Sequence, residues 1–424
     1  MSDMTATTTS VSEALTTADG RPLKAALRRA QSLAKRRAFM LVLPLLAFIV
    51  VTFVMPIGEL LHESIYNPDF HDNMPETVAW FAANPPSTVP DEAAFTALAD
   101  DLKTSAAART VAQVGTRVNY VMPGTRSLFT ATGRKAKSLQ PPYKDALIAA
   151  DPKWGDPDLW ATMRQVSSSY TADFYLAALD HTHGPKGNIV PVPADQAIYL
   201  MLFERTFLVA AAITFICFVI GFPVAHLLSV LPLRTSNLLM IFVLLPFWTS
   251  LLVRTTSWIA LLQREGVVND VLVYLGVIDA HGRLQMIYNQ TGTIVAMTHI
   301  LLPFMILPLY SVMRPIPPSY VRAARSLGAT SWTAFRRIYF PQTLPGIGAG
   351  SLLVFILAVG YYITPALVGG ASGQLISNQV AYFITGAGNN WSMGCAIAGL
   401  LLAAILILYW VYDRLVGIDN LKLG

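Results

Sequence analysis

Six side chains lie in or beside apolar stretches and are of types that can contact a small cargo within a membrane. They are Glu59, Trp248, Arg254, Trp258, Tyr361 and Tyr362. Charged groups that face lipid are costly, so ionisable residues inside a membrane usually face a protein-lined cavity. Aromatic rings and carboxylates bind ammonium groups through cation–π contacts and charge pairing. The set is compatible with a pathway for an organic amine.

Some of these assignments have alternatives. Arg254 lies about 12 Å from the outer end of its predicted helix at ~1.5 Å per residue, so its side chain can instead reach the lipid headgroups. Its charge also argues mildly against a cationic cargo. Tyr361 and Tyr362 fall where interfacial aromatic belts occur as well. Carboxylates are scarce, since Glu59 and Glu204 are the only acids near the outer boundary of the first two spans.

The sequence contains no recognisable catalytic, nucleotide-binding or metal-binding motif. A G-x-x-x-x-G-K-[ST] phosphate loop, a G-x-S-x-G site and an H-E-x-x-H site are all missing. His181 and His183 could bind a metal, but no cluster of cysteines or carboxylates surrounds them, which favours a solvated loop. Cys217 and Cys395 both lie inside predicted spans, so no disulfide framework is expected. We therefore expect no enzyme activity, cofactor or metal in this chain.

The composition indicates an integral membrane protein. Hydrophobic residues make up 54% and charged residues 13% of the chain, with a mean hydropathy of +0.50, against about 25% charged residues in soluble domains. Long apolar runs predict six transmembrane helices: Phe39–Leu61, Thr206–Leu231, Leu238–Leu262, Gly292–Val312, Gly346–Val368 and Met393–Val411. The first run is too long for a cleaved signal peptide. The net charge of +5 does not indicate nucleic-acid binding, because many basic residues border the spans.

The distribution of basic residues predicts the orientation. Arginine and lysine collect in cytoplasmic loops. Basic residues occur between spans two and three, between four and five, and after six, whereas residues 369–390 carry no charge. These positions predict a cytoplasmic N-terminal tail at 1–38, a cytoplasmic C-terminus and a cytoplasmic loop at 314–345. Arg205 is an exception to the pattern.

Residues 62–200, here called the 62–200 segment, are predicted to lie on the outer, periplasmic face. They follow the first helix at 39–61 and precede a core of five further helices at 201–424. The segment mixes acidic and basic residues with proline- and glycine-rich turns. Residues 91–114 and 156–166 are predicted to be helical, and the stretch around 120–155 to be loosely ordered.

The loop "YVRAARSLGATSWTAFRRIYFPQTLPG" at 320–346 predicts two short helices joined by a glycine. Tyr320, Ala323, Ala324 and Leu327 share one helical face, with Ser319 as a possible cap. Gly328 stands where a left-handed residue stops a helix. Ser331 is predicted to cap the second helix and Pro341 to end it. Trp332, Phe335 and Tyr339 form the apolar stripe on one face of this helix. We call residues 314–345 the elbow.

The spacing of Ala323, Ala324, Gly328, Ile338 and Pro341 resembles the "EAA" signature of permease subunits of bacterial binding-protein-dependent ABC importers. Arg322 stands where that family has glutamate, and Phe340 where it has leucine. "LPFWTSLLVRTTSWIALLQREGVVND", "THILLPFMILPLYSVM" and "GYYITPALVGG" are similar to the spermidine/putrescine class. The resemblance covers roughly residues 200–424 and the first span.

The resemblance implies an all-α membrane protein with the type I ABC importer permease fold, in the bacterial inner membrane. The elbow, including Arg322, would dock on a cytoplasmic ATPase subunit that binds ATP and magnesium. The implied partners are a second permease in a heterodimer, two ATPase subunits, a periplasmic binding protein and membrane lipid, but no nucleic acid. The implied cargo is a polyamine or a related small amine.

Four other interpretations remain open. A basic amphipathic elbow can lie on the membrane surface instead of docking on a protein. The chain can be a membrane receptor with a sensor at 62–200. A secondary transporter is a third class, although internal repeats and intramembrane acids are not seen. An importer of the same architecture can carry an amino-acid derivative or an opine-like zwitterion.

Overall fold

The computed structural model describes residues 23–86, 88–184, 188–386 and 390–416. Some predicted features lie outside the described residues. They are residues 1–22 of the predicted tail, 185–187 of the histidine-containing turn, 387–389 of the uncharged loop, and the C-terminus with Lys422. The chain divides into two compact units, residues 1–60 and 61–424.

The first predicted span is confirmed as a long apolar helix. Helix Leu23–Ile49 continues through a π turn, Val50–Val54, into helix Met55–Glu63. The π turn ends two residues before Pro56, whose ring would crowd the carbonyl of Thr52 in a regular α-helix. The wider turn accommodates the proline without breaking the helix.

The sequence predicts six transmembrane helices, and the part of the chain that the structure describes has five or six that qualify. Among the described residues, five helices are long and apolar enough to cross a membrane, or six if one bent pair counts as a single span. The five are Ala34–Glu63, Tyr199–Val230, Gln290–Met313, Ser331–Gly360 and Trp391–Arg414, the last within helix Trp391–Val416, and the bent pair is Leu233–Trp248 with Leu251–Tyr274 at 95°.

Two predicted spans are wrong as continuous helices. Span three is predicted as Leu238–Leu262. In the structure it begins as helix Leu233–Leu244 and a 3-10 turn with Pro246, and is interrupted at Thr249–Ser250. Helices Leu251–Leu262 and Val267–Tyr274 follow the break. Span five, predicted as Gly346–Val368, is helix Phe340–Gly360, which stops at extended Tyr361; the short helices Ile363–Val368 and Ile376–Ile384 follow. Hydropathy averages over such breaks, because the residues around them are equally apolar.

Helices Tyr199–Val230, Gln290–Met313 and Phe340–Gly360 pack closely around one hydrophobic core. A Cβ on Gly350 would lie 2.9 Å from the Met305 sulfur, so glycine allows the helices to approach closely there. Cys217 and Cys395 are buried free thiols in two of the spans, as their positions predict.

The 62–200 segment has a hydrophobic core of its own. Phe70, Phe95, Phe129, Trp154 and Trp160 are almost completely buried in it. The Trp154 indole donates to the Thr132 hydroxyl over 3.0 Å, so its polar atom is satisfied. The α-helices are Pro68–His71, Pro75–Ala83, Glu92–Ala108, Val111–Asn119, Thr125–Lys135, Tyr143–Ala150, Pro157–Val166 and Asp173–Ala178, with 3-10 turns Ala136–Ser138 and Pro152–Gly155.

The helical prediction at 156–166 is confirmed, and that at 91–114 is confirmed except for a break at Arg109–Thr110 between two helices. The prediction of loose order around 120–155 is wrong. Helices Thr125–Lys135 and Tyr143–Ala150 occupy this stretch. Phe129, Leu147 and Trp154 anchor it in the core with no exposed surface. The prolines and glycines that suggested loose order lie mainly in the connections between these helices.

The ends of the 62–200 segment are joined to each other and to the membrane helices. Tyr66 and Tyr170 form a β-bridge, and the Thr171 N–H donates to the Ile65 carbonyl over 2.8 Å. The backbone N–H groups of Ile198, Tyr199 and Leu200 donate to the Asp180 carboxylate over 3.0, 3.0 and 2.7 Å. Asp180 therefore satisfies the first N–H groups of the second span.

The predicted solvated loop at His181 and His183 is wrong in part. Residues His181–His183 form a strand that pairs antiparallel with Ile189–Pro191. His183 Nδ1 lies 2.8 Å from the Asp173 carboxylate, which also accepts a hydrogen bond from Arg117. His183 thus has a structural partner that the local sequence did not indicate. The described residues hold no group of three or more potential metal ligands.

Candidate functional site

The elbow contains a helix, a glycine turn and the start of the fifth span. Helix Pro318–Ser326 ends before Gly328, which has a left-handed φ of +89°. The Gly328 N–H donates to the Arg325 carbonyl over 3.0 Å. The glycine stop read from the sequence is therefore confirmed.

The predicted caps of both elbow helices are wrong by one or two residues. Pro317 precedes the first helix, and Ser319 lies inside it. Thr330, not Ser331, caps the second helix, because its hydroxyl accepts from the Thr333 N–H over 3.2 Å. A threonine and a serine side by side are equally plausible caps in sequence.

The prediction that Pro341 ends the second elbow helix is also wrong. Helix Ser331–Ala334 continues through a π turn, Phe335–Tyr339, directly into helix Phe340–Gly360. The carbonyl of Arg337, which a proline at 341 would crowd, lies in that widened turn. The second half of the elbow is thus a rigid extension of the fifth span.

The elbow exposes an apolar ridge. Tyr320 is 50%, Leu327 89% and Trp332 68% exposed. Phe335 and Tyr339 instead turn toward the second span, where Phe335 contacts Phe222 and the Tyr339 hydroxyl lies 2.9 Å from His226 Nδ1. The stripe predicted for the second helix therefore divides into an exposed tryptophan and two anchoring rings.

The predicted coupling residues occupy different environments. Arg322, Ala323 and Pro341 are exposed, and Ala324 and Ile338 are partly buried. No ion pair of Arg322 is found in the part of the chain that the structure describes. Nothing in the structure explains arginine at this position.

Sequence reasoning missed two residues that hold the elbow in place. Arg314 donates through Nη1 to the carbonyls of Ser229 and Leu231 over 2.7 and 2.8 Å. It thereby joins the end of the fourth span to the end of the second, where basic side chains suit free carbonyls. His226, bonded to Tyr339, is the other. A basic residue directly after a predicted span was the available signal for Arg314.

Three of the predicted pathway residues lie at the two helix breaks. Trp248 precedes the break in span three and is 76% exposed. Tyr361 and Tyr362 form the break after helix Phe340–Gly360, and their carbonyls accept hydrogen bonds from Ser377 and Asn378. Irregular backbone at membrane depth occurs where protein buries it or a polar cavity adjoins it.

The two breaks are connected through the helices that follow them. The Thr255 and Thr364 hydroxyls lie 3.3 Å apart, which links helix Leu251–Leu262 to helix Ile363–Val368. The structure thus joins the helix that carries Arg254 and Trp258 to the helix that follows Tyr361 and Tyr362.

Trp258 contacts His299, a residue that sequence reasoning missed. The Trp258 indole donates to His299 Nδ1 over 3.2 Å. Arg254 lies one turn earlier on the same helix, and its Nε is buried and has no hydrogen-bond partner among the described residues. This helix therefore retains an unused donor. Glu59 lies exposed in the other compact unit, on helix Met55–Glu63.

Comparison with known proteins gives consistent matches over the C-terminal half. The family "Binding-protein-dependent transport system inner membrane component" matches residues 214–417. The spermidine/putrescine transport system permease protein PotB of Salmonella typhimurium (strain SL1344) is 34% identical over 223 residues, which is 52% of this chain and 77% of that protein. The inner membrane ABC transporter permease protein YdcU of Escherichia coli (strain K12) is 32% identical, covering 53% and 73%.

Both relatives are named as permeases, and neither name denotes an enzyme. Among solved structures, a bacterial ABC transporter involved in the import of the acidic polysaccharide alginate is similar, with a TM-score of 0.45 and 16% identity. That likeness covers 52% of this chain and 79% of the matched chain. The sequence relatives and the family match agree on an inner-membrane transport subunit.

Proposed function

The chain belongs to the family of binding-protein-dependent transport system inner membrane components, and from this premise we propose that it carries a polyamine or a related small amine, driven by a partner ATPase. In this proposal the elbow faces the cytoplasm, as do both chain termini, and the 62–200 segment faces the periplasm. A second permease, two ATPase subunits that bind ATP and magnesium, and a periplasmic binding protein complete the transporter.

The exposed ridge of Tyr320, Leu327 and Trp332 is the observation that carries the coupling role. An apolar ridge with arginines beside it suits a groove on another protein, where large apolar and arginine side chains supply most binding energy. Behind the ridge, Arg314 and the π turn join the elbow to the second, fourth and fifth spans. Movement of a docked partner would therefore shift packed helices between discrete arrangements.

The cargo assignment is supported by the names of the relatives and by the side chains at the helix breaks. Trp258 and Tyr361 offer aromatic faces to an ammonium group. We propose that Trp248, Arg254 and Tyr362 also border the path, with further acids supplied by the second permease. Uptake of labelled putrescine into vesicles, reduced by excess spermidine, is the expected result. Unaffected uptake in the presence of excess spermidine would contradict a shared polyamine path.

Leu327→Asp tests the coupling role, because this side chain contacts almost nothing within the chain. The complex with its ATPase, purified from native membranes and reconstituted, should lose cargo uptake per ATP hydrolysed by about tenfold, the factor equivalent to ~1.4 kcal/mol. Ser326→Asp is the matched control: it adds the same charge on the preceding residue, which is also exposed and lies about 100° around the helix.

Three outcomes would contradict the proposal. Equal coupling in Leu327→Asp and in the unmodified protein would exclude docking through the ridge. Equal losses in both variants would indicate a general charge effect. Uptake that persists when the ATPase is inactivated would favour a secondary transporter.

A further inference from the structure

The 62–200 segment contains a cavity that the transport role does not use. Its volume is about 260 Å³, and it opens between helix Pro75–Ala83, the proline-containing connection after it, and helices Tyr143–Ala150 and Pro157–Val166. Pro90 and Pro157 form part of the wall. Prolines fix the backbone, so this part of the wall is preformed.

Aromatic rings form the interior of the cavity. Trp80, Phe81, Phe95 and Trp160 all line it. The Trp160 ring centroid lies 4.9 Å from that of Phe95, 6.1 Å from Trp80 and 6.2 Å from Phe81, in edge-to-face arrangements. The Trp160 indole N–H already donates to the Trp154 carbonyl over 2.8 Å. The rings therefore offer an apolar surface suited to a planar apolar group.

The charges that line the cavity are positive. Lys144 and Arg164 line it, and no aspartate or glutamate does among the described residues. Arg164 Nη1 donates to the carbonyls of Phe81 and Asn84 over 2.7 and 2.6 Å, which fixes the guanidinium 4.8 Å from the Phe81 ring centroid. Burial lowers the pKa of the Arg164 guanidinium. A bound anion would compensate for the lost hydration of this cation.

We propose that this cavity is a binding site for a small aromatic carboxylate, with the ring among Trp80, Phe81 and Trp160 and the carboxylate at Lys144 and Arg164. The site differs from the cargo path in place and in charge. An amine cargo would meet two like charges there, and the nearby Glu92 carboxylate already accepts from the backbone N–H groups of Tyr143 and Lys144. The ligand is therefore a separate small molecule sensed by the 62–200 segment.

Isothermal titration of the full-length protein in detergent with phenylacetate tests the site. Saturable one-to-one binding is expected, and phenethylamine, which has a similar ring and the opposite charge, should bind at least about tenfold more weakly. Lys144→Glu should weaken phenylacetate binding severalfold. Lys144 is exposed, so its exchange does not disturb the core.

A cavity-filling variant separates this site from general surface binding. Ala161 lines the cavity and is exposed, so Ala161→Phe should fill the space and abolish binding without changing the unfolding midpoint. Ala149 is exposed but does not line the cavity, so Ala149→Phe is the control and should bind phenylacetate as the unmodified protein does. Undiminished binding in Ala161→Phe, absence of saturable binding, or equal affinity for phenethylamine would each overturn the proposal.

Discussion

The 62–200 segment and the transmembrane helices of the same chain fill their cores with different side chains. Trp154, Phe70 and Phe129 of the 62–200 segment are fully buried, whereas the fully buried side chains of the transmembrane core are aliphatic or sulfur-containing, such as Ile213 and Met305. Glycines admit a neighbouring helix in both regions. The comparison shows that burial of aromatic rings, and not close approach of helices, distinguishes the two cores.

The largest expected effect is the loss of a core aromatic from the 62–200 segment. Trp154→Ala removes a side chain with no exposed surface and should reduce the free energy of unfolding of this segment by about 3–5 kcal/mol. Trp248→Ala, at the exposed break in span three, should change stability by no more than about 0.5 kcal/mol. Hydrogen exchange of the full-length protein measures both. Similar losses in the two variants would show that burial of Trp154 does not stabilise the 62–200 segment.

Asp173→Asn should have the next largest effect. It leaves the Arg117 side chain, 1% exposed, without its carboxylate partner. Breaking a buried ion pair in this way costs about 3 kcal/mol or more. The matched control is Asp100→Asn, which breaks the more exposed pair with Lys103 and should cost about 1 kcal/mol at most. Thermal unfolding of the two variants compares a buried with an exposed pair.

The same carboxylate should make stability depend on pH. Burial raises the pKa of Asp173, but the charge and hydrogen bonds of Arg117 and a hydrogen bond with His183 outweigh burial and leave the pKa below its ordinary value of 3.8. A carboxyl with a lowered pKa in the folded state stabilises the protein above its unfolded pKa. That stability is lost as the pH falls through the folded pKa.

Acidification below about pH 4 should therefore narrow the stability difference between the unmodified protein and Asp173→Asn. Burial raises the pKa values of Asp69 and Asp101. Protonation of these two carboxyls on acidification therefore favours the folded state, whereas protonation of Asp173 disfavours it. Both carboxyls are present in both proteins, so the difference isolates Asp173. A stability difference that stays constant down to strongly acidic pH would show that the contribution of Asp173 to stability does not depend on its charge.

The smallest expected effect concerns the transmembrane core. Gly350→Ala places a methyl group against Met305 and should destabilise helix packing by about 1–3 kcal/mol. Gly360→Ala, at the end of the same helix with nothing within 4 Å of the added carbon, should be neutral within about 0.5 kcal/mol. Cargo uptake and thermal stability in lipid nanodiscs measure the contrast. An equally tolerated Gly350→Ala would show that the helices do not require a glycine there.

Features set by local composition could be predicted from the sequence. Long apolar runs indicate the spans, and Gly328 after an apolar stripe indicates the elbow stop, because each depends on neighbours along the chain. The breaks at Thr249–Ser250 and Tyr361–Tyr362 could not be predicted in this way. Ser377 and Asn378, distant in sequence, donate to the carbonyls of Tyr361 and Tyr362 at the second break. Thr364 bonds to Thr255 in the helix that follows the first break.

The same limit applies to the candidate sites. Tyr361 and Trp258 could be selected for their chemistry, but His299 joins Trp258 from another helix. His183 looked like a loop residue because Asp173 is ten positions away and meets it only in the folded chain. Order around 120–155 was missed since its aromatic anchors, such as Trp154, reach a core built from the whole segment.

The bridge between Tyr66 and Tyr170 places both ends of residues 67–169 side by side. A foreign domain whose own termini lie close together could therefore be grafted between them, because such sites tolerate insertions best. The graft would also have to replace Arg117, the partner of Asp173.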